Sequence, residues 1–407
     1  MVLSSVTGCN KDKEVTGNQY VFGQDDQSSM FYNQIQCDLE QAESEKGYYF
    51  IKNQYIYFFD KDTKKVVPLC NKSDCLHDEE TIEKRVNCNA YIPKSIDTTD
   101  IVYYNHCVYY IVDGSDTKKL TEQLVEVSED GSAKEVIASI SGGKIQNWQI
   151  HRGYIYYTIN QYERDEDTGE EISCKTKIYQ LKLHENVDEA ELLYETKDGY
   201  NGMGGDVMLF YGDHAYFTTE GYAQEGEDSY FTTYHYNLVT KEMKELVPCK
   251  DSNFSHMFVY NNQLIYNCWY DTDDDERNGI YYCCDLNGEH RKEFRKTRAG
   301  EVLYTDGTYL YQDNYYLVKD NVVSFNPVDD KRTITVYNEK FEELGDIASI
   351  TEKNQEFMEA GGTDYIFQIV DTDTGFEIEY IEKAKFKELK NKTIEPIVCY
   401  ESKNKLE

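Results

Sequence analysis

The chain has 407 residues, room for two or three average domains or one large all-β domain. Its 76 Asp and Glu against 42 Lys and Arg leave a net charge of −34, and a surface that repels phosphate backbones excludes nucleic-acid binding. With 40% apolar residues, 38 Tyr and 17 Phe it differs from acidic disordered chains, and no run approaches the ~18 apolar residues of a membrane-spanning helix.

The opening residues read MVLSSVTGCN. Val6-Thr7-Gly8-Cys9 fits the bacterial lipobox, in which the chain is cleaved before the Cys and the Cys is acylated. Polar Asn10 to Asn18 then read as a tether. Only Val2 to Val6 precede the box, short of the about 7–15 apolar residues of a secretory segment. Two readings stay open. In one, Cys9 anchors the protein by lipid on the extracellular face of a bacterial cytoplasmic membrane; in the other, the protein is cytosolic and Cys9 is an exposed thiol. The expected organisation is a lipoprotein signal remnant and polar tether over 1–18 and one domain over 19–407 with a Cys/His-containing insertion at 69–91.

From there one pattern recurs: aromatic-rich strand, short polar turn, second aromatic strand. It opens at Gly47, Asp100, His151, Val207, His256, Val302 and Phe357. Taking Tyr57, Tyr109, Tyr156, Tyr216, Tyr266, Tyr311 and Tyr365 as markers, the spacings run from 45 to 60 residues. A third strand and a charged fourth strand follow each hairpin, as in YFTTYHYNLVTKEMKELVP from Tyr230. Such self-similarity predicts an all-β β-propeller of seven four-stranded blades, with six and eight left open. Closure is expected from pairing of terminal strands within one blade, around Gln19–Ile35 and Ile394–Glu401.

The Gly-Tyr-Tyr/strand/turn/strand pattern, from about Gly47 to Tyr400, resembles a family of bacterial propeller proteins, many of them lipoproteins of Gram-positive anaerobes. They are akin to TolB-like propellers and to low-density-lipoprotein-receptor-like β-propeller domains. The Tyr-Trp-Thr-Asp tetrapeptide of the receptor propellers is missing, so their ligand chemistry does not carry over.

Residues 69–91 hold Cys70, Cys75, His77 and Cys88, in the order Cys-x4-Cys-x-His-x10-Cys. The resemblance implies such a segment after the first hairpin. Three thiolates and an imidazole complete a tetrahedral zinc shell with no open position, which reads as a structural clip. A disulfide, Cys70–Cys88 or Cys75–Cys88, and free thiols are the rival readings. Cys37, Cys107, Cys174, Cys249, Cys268, Cys283, Cys284 and Cys399 read as small buried hydrophobes.

No Gly-x-Ser-x-Gly elbow, His-Glu-x-x-His or P-loop occurs, which removes the serine-hydrolase half of a propeller peptidase among other chemistries. The acidic runs at Asp165, Asp271 and Asp371 fail the Ca²⁺-loop pattern and read as solvated turns. His106, His151, His214 and His256 recur near the hairpin turns and are expected to be exposed there, the alternative being a polar site at one mouth of the ring; Trp148 and Trp269 are expected between blades, the alternative being stacking on a sugar ring. The expected function is a cell-surface, monomeric, non-catalytic scaffold binding a glycan, peptide or protein. The alternative is a propeller glycosidase or lyase with channel carboxylates about 5–10 Å apart. A third is a cytosolic assembly platform. Structural zinc is the one expected cofactor.

Overall fold

The computed structural model describes residues 17–18, 21, 25, 41–75, 77, 85–93, 101–114, 121–164, 171–195, 207–222, 229–246, 253–270, 278–297, 301–314, 317–319, 322–324, 333–348, 364–372, 375–391 and 394–402. They form seven antiparallel sheets in chain order, plus a small hairpin inserted in the sixth. Blade 1 comprises Gln41–Glu43, Gly47–Lys52, Tyr55–Asp60 and Val66–Pro68. Blade 2 comprises Val102–Tyr104, Cys107–Asp113, Thr121–Ser128 and Lys134–Ser141. Blades 3 to 6 repeat the plan from Ile145, Val207, Asn253 and Glu301. Blade 7 contributes Tyr365–Thr372, Gly375–Glu382 and Ile397–Glu401 among the described residues. First strands of successive blades touch each other, from blade 1 round to blade 6, so they ring a common axis. The predicted seven-bladed propeller is borne out.

The apolar runs follow from burial on both faces. In the second strand of blade 2, Val108, Tyr110 and Val112 join the core shared with blade 1. Their neighbours Tyr109 and Ile111 point the other way, into the core shared with blade 3. Period-2 geometry thus sends alternate side chains into two different dry interfaces, and both sets must be apolar. Adjacent Cys283 and Cys284 separate in the same manner. The turn between first and second strands is tight. Asn105 and His106, like Asn261 and Asn262, take successive positive φ values, the backbone of a two-residue hairpin turn.

One expectation is corrected. The hairpin from Gly47 is strands two and three of blade 1, so marker Tyr57 lies one strand farther out than Tyr109 or Tyr156. The true first strand, Gln41–Glu43, is three residues long and carries too little pattern to be read. Of the expected closure, Ile397–Glu401 pairs with Gly375–Glu382 as the outer strand of blade 7, while Gln19–Ile35, apart from Val21 and Asp25, lies outside the described residues. Aromatic packing joins blade 7 to blade 1. The Phe367 ring lies 4.7 Å from Phe50, 4.9 Å from Tyr48 and 5.1 Å from Phe59, while Tyr57 meets Tyr400 at 5.3 Å. The Asp364 amide adds a hydrogen bond to the Tyr48 hydroxyl at 3.1 Å. Phe367→Ala should therefore cost about 3–5 kcal/mol in denaturant unfolding. A loss below ~1 kcal/mol would mean that this seam does not hold the ring.

The histidines also depart from expectation. His106 is exposed at its turn, but His151 and His214 are buried. His151 donates through Nε2 to the Gly212 carbonyl at 2.8 Å and stacks on Phe210 at 5.1 Å. Burial pushes its pKa down to about 4, against the weaker pull of the Asp25 charge. Because the unfolded chain binds this proton near pH 6.5 and the folded chain does not, stability is complete above about pH 6.5 and drains as pH falls toward 4. His151 alone contributes about 3 kcal/mol of that loss. Urea titrations at pH 7 and pH 4.5 check it; equal midpoints would contradict the buried neutral imidazole. The His256 side chain lies outside the described residues.

Candidate functional site

The four candidate metal ligands converge. After the last strand of blade 1, the Leu69 amide bonds to the Ile56 carbonyl, and the chain then leaves the sheet. The Asn71 amide reaches the Gly131 carbonyl of blade 2 at 3.1 Å, and the Cys75 and Cys88 amides close local turns onto Lys72 and Arg85. The segment returns beside the third strand of blade 1, where the Ile56 amide donates to Ala90 and the Ile92 amide to Gln54. Gly131 is required here: at φ +69° its absent Cβ would lie 2.6 Å from the Leu69 carbonyl carbon. Its carbonyl also accepts from the Asn89 amide side chain at 2.8 Å.

The donor atoms of Cys70, Cys75, His77 and Cys88 all lie within 4.8 Å of one another. His77 Nδ1 is 3.2 Å from Cys75 Sγ and 3.6 Å from Cys88 Sγ. A zinc tetrahedron with Zn–S of about 2.3 Å has edges of about 3.8 Å, so a small contraction closes the shell. All three cysteines are free thiols, with no disulfide among them. Burial opposes the Cys70 thiolate, yet hydrogen bonds from the Lys72 and Asn89 amides and from the neighbouring thiols outweigh it and lower the pKa. Burial pushes Cys88 up to about 12. Lys134 lies close by; burial lowers it to about 8, while the Cys88 and Cys70 charges draw it back up.

A second feature lies in blade 2. Asp113 ends the second strand of blade 2, and Glu122, the second residue of the third, lies directly opposite it across the ladder. Both lie at the blade end away from the tight turns. Glu122 is 7% exposed, and one carboxylate oxygen accepts from the Ile145 amide at the start of blade 3. Burial raises its pKa, the Asp113 charge adds to that, and the Ile145 amide opposes. Among the described carboxyl groups with a resolved shift, Glu122 alone is raised. Sequence reading missed it because TEQLVEVS is an ordinary alternating strand.

The other candidates sort as follows. Trp148 is buried in the core between blades 2 and 3, as expected. Thr372 pairs with Gly375, so the acidic run at Asp371 spans a hairpin turn. Cys9, the Asp165–Gly169 run, the Asp271–Glu276 run and the Trp269 side chain lie outside the described residues.

No family model and no curated protein sequence matches the chain. Among solved structures, a prolyl endopeptidase matches with TM-score 0.54 at 10% identity, over 88% of this chain and 48% of its own. The tricorn protease matches with TM-score 0.53 at 9% identity, over 95% and 36%. An oligogalacturonate lyase in complex with manganese matches with TM-score 0.51 at 11% identity, over 89% and 88%. The chain thus spans between a third and half of the two peptidases and nearly all of the lyase. Since these neighbours are catalytic proteins, the expectation of a non-catalytic scaffold is corrected. Its weakness was physical: missing serine, zinc-protease and nucleotide motifs say nothing of carboxyl pairs, which are assembled by the fold and leave no local signature. At these identities the likeness is one of architecture, and the chain is a seven-bladed β-propeller.

Proposed function

We propose that the protein is a glycan-cleaving propeller enzyme of the glycosidase class, with Glu122 as general acid and Asp113 as its charged partner. The observation that carries this reading is the position of Glu122: buried, hydrogen-bonded to the Ile145 amide, and directly opposite Asp113. Residues facing each other across a ladder have Cβ atoms about 4.5–5.5 Å apart. Retaining glycosidases hold their carboxyl groups about 5–5.5 Å apart, one protonated and one ionised. Here the surroundings of the two differ: Glu122 is buried, which raises its pKa, while Asp113 is exposed at the end of its strand. The net charge of −34 repels polyanions, so the favoured substrate is a neutral glycan.

The match to an oligogalacturonate lyase along 88% of that chain supports a second reading, elimination on a uronate chain. A screen of neutral and uronate polysaccharides, read by new reducing ends and by the ultraviolet absorbance of unsaturated products, separates the two. Cleavage of neither would remove both.

Two further parts belong to this proposal. Cys70, Cys75, His77 and Cys88 hold a structural zinc; their thiolate-rich set suits zinc and not the manganese of the lyase. Zinc there would neutralise ligand charge and tie residues 69–92 to blades 1 and 2. A lipid on Cys9 would hold the enzyme on the extracellular face of the cytoplasmic membrane, in keeping with its resemblance to the bacterial lipoprotein propellers akin to TolB-like propellers. Metabolic labelling with a fatty-acid analogue tests the anchor, and absence of label from Cys9 removes it.

A further inference from the structure

The tight-turn end of blades 3 and 4 holds a piece of the chain that belongs to neither. The Gly17 amide donates to both carboxylate oxygens of Asp213, at 2.9 and 2.8 Å. Its carbonyl accepts from Arg152 Nη2 at 3.1 Å. The Asn18 side-chain oxygen accepts from His214 Nε2 at 3.0 Å, and His214 Nδ1 meets His235 Nε2 at 2.7 Å. Asp25, with its side chain 1% exposed, receives Arg152 Nε at 2.6 Å and the Val21 amide at 2.7 Å. Arg152 bridges on to Asp213 through Nη1 at 2.6 Å and is itself 10% exposed.

The fit is specific to this segment. Gly212, at φ +57°, leaves the space in which Asn18 sits: a Cβ there would stand 2.6 Å from Asn18 Cα and 2.7 Å from the Gly17 oxygen. One guanidinium reads two carboxylates and a backbone carbonyl at once, which a Lys head could not do. Both Arg152 and Asp213 stand in turns between first and second strands, so the segment lies near the axis on the end opposite Glu122.

We propose that Gly17, Asn18, Val21 and Asp25 form a docked strap that fixes where the N-terminal arm leaves the propeller. An anchor at Cys9 then holds the tight-turn end toward the membrane and turns the Glu122 end outward to arriving glycans. The second half rests on Cys9 carrying the lipid. Gly17 follows Cys9 by eight positions, a reach of at most about 26–29 Å, so the seated strap leaves the body little freedom to roll over.

Hydrogen exchange on the full-length protein tests the strap without any membrane. The Gly17 and Val21 amides should be protected, and Arg152→Ala should release both to the rate of an unstructured peptide while the second strand of blade 3 stays protected. Asp25→Ala changes the strap alone and should do the same, which decides the matter if Arg152→Ala fails to fold. Unprotected amides in the wild type overturn the strap. The orientation is read on protein in phosphatidylcholine vesicles containing an acceptor lipid, with a genetically encoded fluorophore at exposed Asn262 on the tight-turn end or at exposed Ser141 on the other. Energy transfer should be stronger from Asn262, and Arg152→Ala should bring the two together. Equal transfer in the wild type overturns the orientation. Failure to associate with vesicles removes the anchored half and leaves the exchange result to decide the strap.

Discussion

Cys88→Ser should take the protein from one bound zinc per chain to none and release residues 69–92 from blades 1 and 2. Serine is nearly the size of cysteine but keeps its proton at neutral pH, so it offers the ion no anionic sulfur. Cys88 is 2% exposed and belongs to the blade 1 core with Ala90, Tyr91 and Ile92. A hydroxyl there meets an apolar wall and has lost its metal. The whole binding energy of a structural zinc, about 10–16 kcal/mol in isolated finger peptides, is folding energy for such a segment. Here part of the segment is already held by the Asn71, Ala90 and Ile92 hydrogen bonds, so the effect on global unfolding should be several kcal/mol, not the full figure. Elemental analysis gives the stoichiometry. Cobalt substitution gives thiolate charge-transfer bands that should weaken in the variant. A strong chelator added to the wild type should reproduce the loss of stability and make residues 69–92 open to protease. Protein that purifies without zinc, takes up no cobalt and ignores the chelator would end the clip.

How legible each feature was in the sequence depends on how local its signal is. The clip could be read because its ligands lie within 19 residues, and chemistry that local shows in spacing alone. The blades could be read because a strand such as Cys107–Asp113 is dry on both faces from Val108 to Val112, and that run must be apolar. Gln41–Glu43 could not be read, since a three-residue strand earns its place by pairing with Tyr48–Phe50 and not by its own composition. The ring seam at Phe367 and the burial of His151 are equally non-local, set by residues more than 300 and about 60 positions away. Arg152 carries no local signal, because its partners, Gly17, Asp25 and Asp213, are scattered along the chain. Glu122 was hidden for the same reason: its hydrogen bond to the Ile145 amide crosses from one blade to the next.

Glu122→Gln should remove glycan cleavage while leaving the fold in place. Gln is close to Glu in shape and can still accept from the Ile145 amide through its carbonyl oxygen, so the ladder opposite Asp113 survives. What it cannot do is give a proton to a departing sugar oxygen. General acid catalysis contributes typically about 10²–10⁴-fold, and kcat should fall by that factor with little change in KM. Substrates whose leaving group departs as a stable anion need no proton; on these the variant should keep most of its rate, a rescue that a merely structural Glu would not give. Asp113→Asn should fail on both substrate types, because the charge that meets the developing oxocarbenium is gone. The pH profile carries the sign. Burial and the Asp113 charge raise Glu122, so the wild type should retain its proton, and its rate, to higher pH than an ordinary carboxylic acid allows, and then lose rate as pH rises through that raised value. Removing the Asp113 charge lowers the Glu122 pKa, so any residual activity of Asp113→Asn should show its alkaline limb at lower pH. An active Glu122→Gln enzyme on unactivated glycan would place the acid elsewhere on the propeller.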